Sequence, residues 1–187
     1  MTQSGVNITN LPADTLLDSG VLYFGSTKIG VTRGAPKFDP ARTWRNIEFD
    51  GKQAPVKGLD RPMYGEAMIS GTLIEFGGAS TGNQITKLEP GATAVTVGAI
   101  TTYTPVAGGA LLAAGNYFAN LRMFFERATP GTYAAILFAV AFCKKYDVQG
   151  ANMNEATIPF EFVARLDLNT QQVSDPPYVI ELRTSLP

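Results

Sequence analysis

Residues 116–127 read NYFANLRMFFER. Strand side chains alternate between two faces. One face here would carry Tyr117, Ala119, Leu121, Met123 and Phe125, the other Phe118, Asn120, Arg122, Phe124 and Glu126. The first set is wholly apolar and the second is mixed, as expected of a strand lying against a core. ATPGT (128–132) follows as a tight Pro-Gly turn, and then YAAILFAVAFCKKYDV (133–148), a long strand apolar on both faces. A further turn around Gly150 leads to residues 155–168. There Ala156, Ile158, Phe160, Phe162, Ala164, Leu166 and Leu168 alternate with Thr157, Pro159, Glu161, Val163, Arg165 and Asp167. After a turn-rich stretch, YVIELR (178–183) reads as a final strand. Three long consecutive strands thus dominate the last third of the chain.

Working back toward the N-terminus, residues 94–105 are rich in Val, Thr, Ile and Tyr and read as β-structure. AGGALLAA (107–114) is the best helical candidate, short and interrupted by two glycines. Residues 78–91 form a turn region, with a possible short strand at 85–88. GEAMISGTLIEFG (65–77) is apolar on both faces and reads as a strand buried on both sides, with Gly71 marking a bulge or a close backbone approach. Residues 21–25 and 28–32 read as two short strands around a turn at 25–27, and the polar residues 1–20 as an N-terminal arm. The chain reads as a single domain, 1–187, of mainly β class: an antiparallel β-sandwich or barrel with a short flanking helix.

Between these strands lies GAPKFDPARTWRNIEFDGKQAPVKGLDRPMY (34–64). Pro36, Pro40, Pro55 and Pro62 exclude a regular helix or a central strand, so the run reads as a long loop in which only residues 45–50 suit a short strand. It also holds Phe38, Trp44, Ile47, Phe49, Val56, Leu59, Met63 and Tyr64, whereas disordered linkers are poor in aromatics. Such a loop packs on its own core or reaches a neighbouring subunit. Six basic residues are interleaved with four acidic ones, which suits a mixed-charge interface better than a phosphate track.

Composition bounds the chemistry. Charged residues make up 17% of the 187 positions and the net charge is −1, so there is no general basic footprint for nucleic acid. Few charges favour oligomer interfaces. There is no histidine and one cysteine, Cys143, in an apolar run. Ser-His-Asp and Cys-His nucleophile systems and His-ligated metal sites are excluded, and Cys143 reads as a small core hydrophobe. No catalytic, cofactor or metal residue is assigned, and the chain reads as a non-enzyme. Gly25 and Gly30 have the spacing of half a P-loop, but Val31 follows where lysine is needed and two short strands frame them, and the glycines at 77–82 lack the dinucleotide-binding spacing. The N-terminus has no signal-peptide pattern, and the longest apolar run, Tyr133–Cys143, is too short to span a bilayer.

DSGVLYFG (18–25), the long loop, and GEAMISGTLIEFG (65–77) resemble the front half of the major tail tube proteins of long-tailed, siphovirus-type bacteriophages. YFANLRMFFE (117–126), IPFEFVARLDLN (158–169) and DPPY (175–178) resemble the back half, while residues 78–115 match only loosely. The resemblance lies in the order and spacing of β segments. It implies a virion protein made in the host cytoplasm, whose subunits form hexameric rings that stack into a tube. The long strands would join into an inter-subunit barrel around a lumen. DNA would pass through in transit without specific binding, and no membrane would be involved. The other partners implied are tail tip, tape measure and terminator proteins. Residues 34–64 would then be the inter-ring loop, with Phe38, Arg42, Trp44, Arg45, Phe49, Lys57 and Arg61 as contacts. The polar sides of the long strands give the lumen candidates Asn120, Arg122, Glu126, Thr157, Glu161, Arg165 and Asp167. The alternative is a monomeric β-sandwich binding module for a surface or a carbohydrate.

Overall fold

The computed structural model describes residues 16–34, 36–48, 54, 57–73, 88–147, 157–171 and 175–187. The described residues form antiparallel sheets with almost no helix. In chain order the strands are β1 (Leu16–Phe24), β2 (Thr27–Val31), β3 (Lys37–Asp39), β4 (Arg42–Asn46), β5 (Asp60–Tyr64) and β6 (Met68–Leu73). They continue with β7 (Thr93–Val97), β8 (Ile100–Thr104), β9 (Phe118–Arg127), β10 (Tyr133–Tyr146), β11 (Ile158–Arg165) and β12 (Val179–Arg183).

The main sheet runs β2-β1-β9-β10-β11-β6-β3. Its two sides meet where Thr32, just beyond β2, bridges Leu73 at the end of β6, and Arg33 N–H donates to the Thr72 carbonyl at 2.8 Å. The sheet therefore closes into a barrel, which leaves fewer edges open than a flat sheet of the same strands. Thr32 is the buried polar residue at the seam. Its hydroxyl accepts from Gly20 N–H at 3.0 Å and donates to the Gly20 carbonyl at 3.1 Å. Pro36 enters beside it. A Cβ on Gly20 would stand 2.9 Å from the Pro36 ring, and one on Gly71 3.4 Å from Pro36 and 3.2 Å from the Phe160 ring. Gly71 thus marks the close approach that its place in an apolar strand implies.

The barrel is filled by Leu22, Phe24, Ile29, Ile69, Leu73, Leu121, Met123, Phe138, Phe160 and Phe162, among others. Phe24 packs edge-on to Phe162 with centroids 5.5 Å apart. β10 is the spine. β9 runs along one edge of it; along the other, β12 pairs residues 133–137 and β11 pairs 140–146. Cys143 is buried here, as a small core residue should be, and burial pushes its thiol up to about 12.

Several expectations need correction. The alternation read from 116–127 holds only from Leu121 onward. The β9–β10 register omits Asn120 and Ala139, and Asn120 has φ 58°. Phe118, expected on the mixed face, turns into the core against Phe24 at 4.7 Å, and Ala119 is exposed. β10 changes its inward set at the same place, from Ile136 and Phe138 to Ala141 and Cys143. Both strands bend there together, which suits a sheet that must curl closed.

The segment 34–64 is not one long loop. Its start supplies β3, which pairs with β6, and β4 and β5 form a separate hairpin. Pro62 lies within β5, opposite Trp44, where a two-strand hairpin tolerates a missing donor. Residues 107–114 form no helix; a turn at Gly108 and Gly109 leads to a single 3₁₀ turn at Ala114–Asn116. Two adjacent glycines in so short a run explain the loss. β6 is not buried on both sides: Ile69 and Leu73 point inward, while Met68, Ser70 and Thr72 are half-buried. The arm read at 1–20 ends before residue 16, where β1 begins. Its first fifteen residues, the end of the strand read at 65–77, the start of that at 85–88 and the turn around Gly150 lie outside the described residues.

By contrast the turn at 128–132 forms as read, with Gly131 at φ 73° and Thr132 Oγ1 donating to the Thr129 carbonyl at 2.7 Å. In β11, Ile158, Phe160, Phe162 and Ala164 all point into the core, as their spacing requires.

Candidate assembly surfaces

Among the described residues, three strand-built features lie outside the closed barrel. The first is the β4–β5 hairpin. Tyr64 at its base stacks edge-on to Tyr178 with centroids 6.1 Å apart, and Tyr178 packs on Phe38 at 4.9 Å. Of the residues read as inter-ring contacts, Arg42, Trp44, Arg45 and Arg61 lie on this hairpin, Arg42 and Trp44 on one face and Arg45 and Arg61 on the other. The Arg42 guanidinium lies 5.1 Å from the Trp44 ring, and Trp44 is 59% exposed. Arg45 stands directly opposite Arg61, an unfavourable pair of like charges, beside exposed Met63. Asn46 donates to Asp60 at 2.8 Å on the other face. Phe38 does not belong to this group. It sits on β3 at the barrel's edge, packed on Phe138 and Tyr178, and so serves its own core. Lys57 is exposed near the tip, and Phe49 lies outside the described residues.

The second feature is the β7–β8 hairpin, exposed along nearly its whole length. Its pairing places Thr93, Val95, Val97, Ile100, Thr102 and Thr104 on one face. All six are β-branched, and Val97 and Ile100 are 75% and 70% exposed. On the opposite face the hydroxyls of Thr96 and Thr101 are 2.9 Å apart. The base of the hairpin is fixed. Leu88 is buried in the core, the Tyr146 hydroxyl donates to Glu89 at 2.9 Å, and this bond to a carboxylate holds the phenol above its usual range. Gly91, at φ 79°, sits where a Cβ would strike Val106 at 2.6 Å and Asn116 at 2.8 Å.

The third is β12. Among the described residues it pairs with β10 alone, and Val179, Ile180 and Leu182 are exposed, Leu182 at 73%. The sequence marks β7, β8 and β12 as β-structure without singling out their side chains. A signal was present: no Asp, Glu, Lys or Arg occurs anywhere in positions 90–121.

The lumen candidates fall into two sets. Arg122, Glu161 and Arg165 face outward from the barrel wall and enter two ion-pair groups, while Glu126 is exposed on β9. In one, Arg122 donates to Glu181 of β12 at 3.3 Å, and Arg183 lies 3.4 Å from the same carboxylate. In the other, Glu66 receives Lys144 and, at 2.6 Å, Arg165, while Glu161 lies 3.8 Å from Lys144. The hydrogen bonds from Lys144 and then Arg165 hold the Glu66 carboxyl below its usual range, and the bond to Glu66 raises the Lys144 ammonium above its own. Arg165 also lies 4.7 Å from the Phe142 ring, which Tyr117 meets edge-on at 5.8 Å. The remaining candidates do not join these groups. Asp167 builds its own turn, accepting from the backbone and side-chain N–H groups of Asn169 at 3.0 Å each. Thr157 precedes β11, and Asn120 marks the bend in β9.

No family model matches this sequence, and no curated protein matches it.

Proposed function

We propose that this chain is a structural subunit of a bacteriophage tail tube, assembling as stacked hexameric rings that form the conduit for DNA ejection. The observation that carries the proposal is the set of strand elements outside the closed barrel, which present Trp44, Met63, Val97, Ile100, Ile180 and Leu182 to solvent. Large apolar side chains on exposed strands mark surfaces that a partner covers. The sequence resemblance to tail tube proteins supplies the identity of that partner: further copies of the same chain. In this reading the β4–β5 hairpin is the inter-ring element, with Trp44 as its anchor and Arg42, Arg45 and Arg61 setting register. The wall charges Arg122, Glu161 and Arg165 are already satisfied by carboxylates or ammonium groups of the same chain. Such a wall offers few free cations to phosphate, so DNA passes without being held.

The test is light scattering and negative-stain microscopy of the purified protein. Rings or hollow tubes with a bore wider than duplex DNA are expected. A clean monomer at high concentration that binds glycans would instead assign the chain to the binding-module class. Salt-sensitive retention of DNA by assembled tubes would overturn the neutral lumen.

A further inference from the structure

The hairpin β7–β8 and the strand β12 are uncovered apolar surfaces on different parts of the same chain. On β12, Ile180 and Leu182 lie on one face, while Glu181 and Arg183 lie on the other, toward Arg122. The face with Ile180 and Leu182 thus carries no charge, and neither does the face of the hairpin with Val95, Val97 and Ile100. We propose that the β-branched face of β7–β8 in one copy docks on Ile180 and Leu182 of β12 in the next. The proposal deepens the assembly reading and rests on it.

Charge selects the occupant. Residues 90–121 offer no counter-charge, so a charged partner surface would be desolvated there without compensation. An uncharged strand face on a second copy meets no such cost. Size is compatible too. β7, β8 and β12 are each five residues long. Within 91–115 every residue but Gly91, Ala92, Tyr103, Val106 and Leu112 is exposed, which is close to the roughly 20–30 residues a side that a standard interface uses. A lone two-stranded hairpin is marginal in water, and this one gains a second layer by docking. The base is already fixed through Leu88, the Tyr146–Glu89 bond and the close packing at Gly91, so little order is lost on binding. Symmetry sets the consequence. A patch that binds itself stops at a dimer, whereas two different patches give a head-to-tail contact that closes a ring or extends a filament.

The experiment uses the full chain in two single-site variants, Ile100→Cys and Leu182→Cys, mixed during assembly and treated with a short bis-maleimide. Cys143 is buried and competes poorly for the reagent. A covalent dimer joined between positions 100 and 182, formed in the mixture and weak in either variant alone, is expected. Ile100→Cys linking to itself as efficiently as in the mixture would make the contact self-paired and overturn the proposal. Particles that form normally but never link 100 to 182 would overturn it while leaving the tail-tube reading intact. A wild-type chain that forms no particles removes both. Val97→Lys gives an independent readout. It should leave the thermal melt unchanged and raise the concentration at which particles appear by about tenfold or more. Assembly of Val97→Lys at the wild-type concentration would contradict the docking. Flotation of the wild type with phosphatidylcholine vesicles, lost in Val97→Lys, would assign the hairpin to a lipid surface and also overturn it.

Discussion

β10 and the β7–β8 hairpin are made of similar material and meet opposite fates. Both are rich in uncharged, strand-favouring residues. β10 has neighbours along both edges and packs Ile136, Phe138, Ala141 and Cys143 into the barrel. Among the described residues the hairpin's two strands pair only with each other, and none of the hairpin's residues is buried. Composition therefore decides that a segment is a strand, and topology decides whether its side chains find cover. Where topology leaves them bare, as on Val97 and Ile100, they stand exposed on the subunit.

The contrast can be strained by substitution. Phe138 is fully buried at the centre of β10. Phe138→Ala should cost about 3–5 kcal/mol through lost transfer energy and a cavity, seen as a large drop in the denaturation midpoint. A loss as small as that of a surface change would mean that the barrel core is far looser than its packing. The next largest effect belongs to the seam. Thr32→Val leaves the Gly20 N–H without its hydroxyl partner and should cost about 1–3 kcal/mol. Faster amide exchange at Gly20 and Arg33 than in the wild type would show that closure itself has weakened, and unchanged exchange would locate the loss elsewhere.

Smaller still is the ion-pair group around Glu66. Its carboxyl titrates below the ordinary range, so its contribution is present above that range and fades as pH falls through the lowered value. Lys144 is the reverse case, contributing below its usual range and losing that contribution as pH rises through the raised value. Both groups are largely exposed and well screened, so Glu66→Gln should destabilise the subunit less than Thr32→Val does. A flattening of the acid limb of the stability profile in Glu66→Gln is the measurement that checks the assignment. Least of all, Val97→Ala should change subunit stability by no more than about 0.5 kcal/mol in chemical denaturation, because the side chain is 75% exposed. A core-sized loss there would mean the hairpin is covered within its own chain, and would remove the distinction from β10.

Much of the barrel was legible in the sequence because alternation and turn chemistry are local. The turn at 128–132 and the inward set of β11 needed nothing beyond the residues themselves. The bend at Asn120 and Ala139 was not legible, since an apolar pattern fixes a face only while the strand stays regular. Phe38 was misplaced for a related reason. An aromatic between two prolines reads as a loop anchor, and only the pairing of β3 with β6 makes it part of the core wall. Pro62 concealed β5, because proline's penalty depends on which edge is free, a property of the fold. The exposed face of β7–β8 had a signal in the uncharged run 90–121, yet absence of charge alone cannot tell a buried segment from an interface.

The pairing of β1 with β9 sets a schedule for synthesis. Val21 lies opposite Phe124, and Leu22 opposite Met123. At roughly 5–20 residues per second, the ribosome delivers the ninth strand on the order of 5–20 s after the first. Until β6 emerges, β1 and β2 form at best a two-stranded ribbon bearing Leu22, Phe24 and Ile29, the residues that later line the barrel. The seam at Thr32 can form no earlier than β6, and β12 reaches its place on β10 only when the C-terminus emerges. The nascent chain thus carries its stickiest surface longest, and a delay in translation between residues 31 and 118 lengthens the period in which one half-made chain can pair with another.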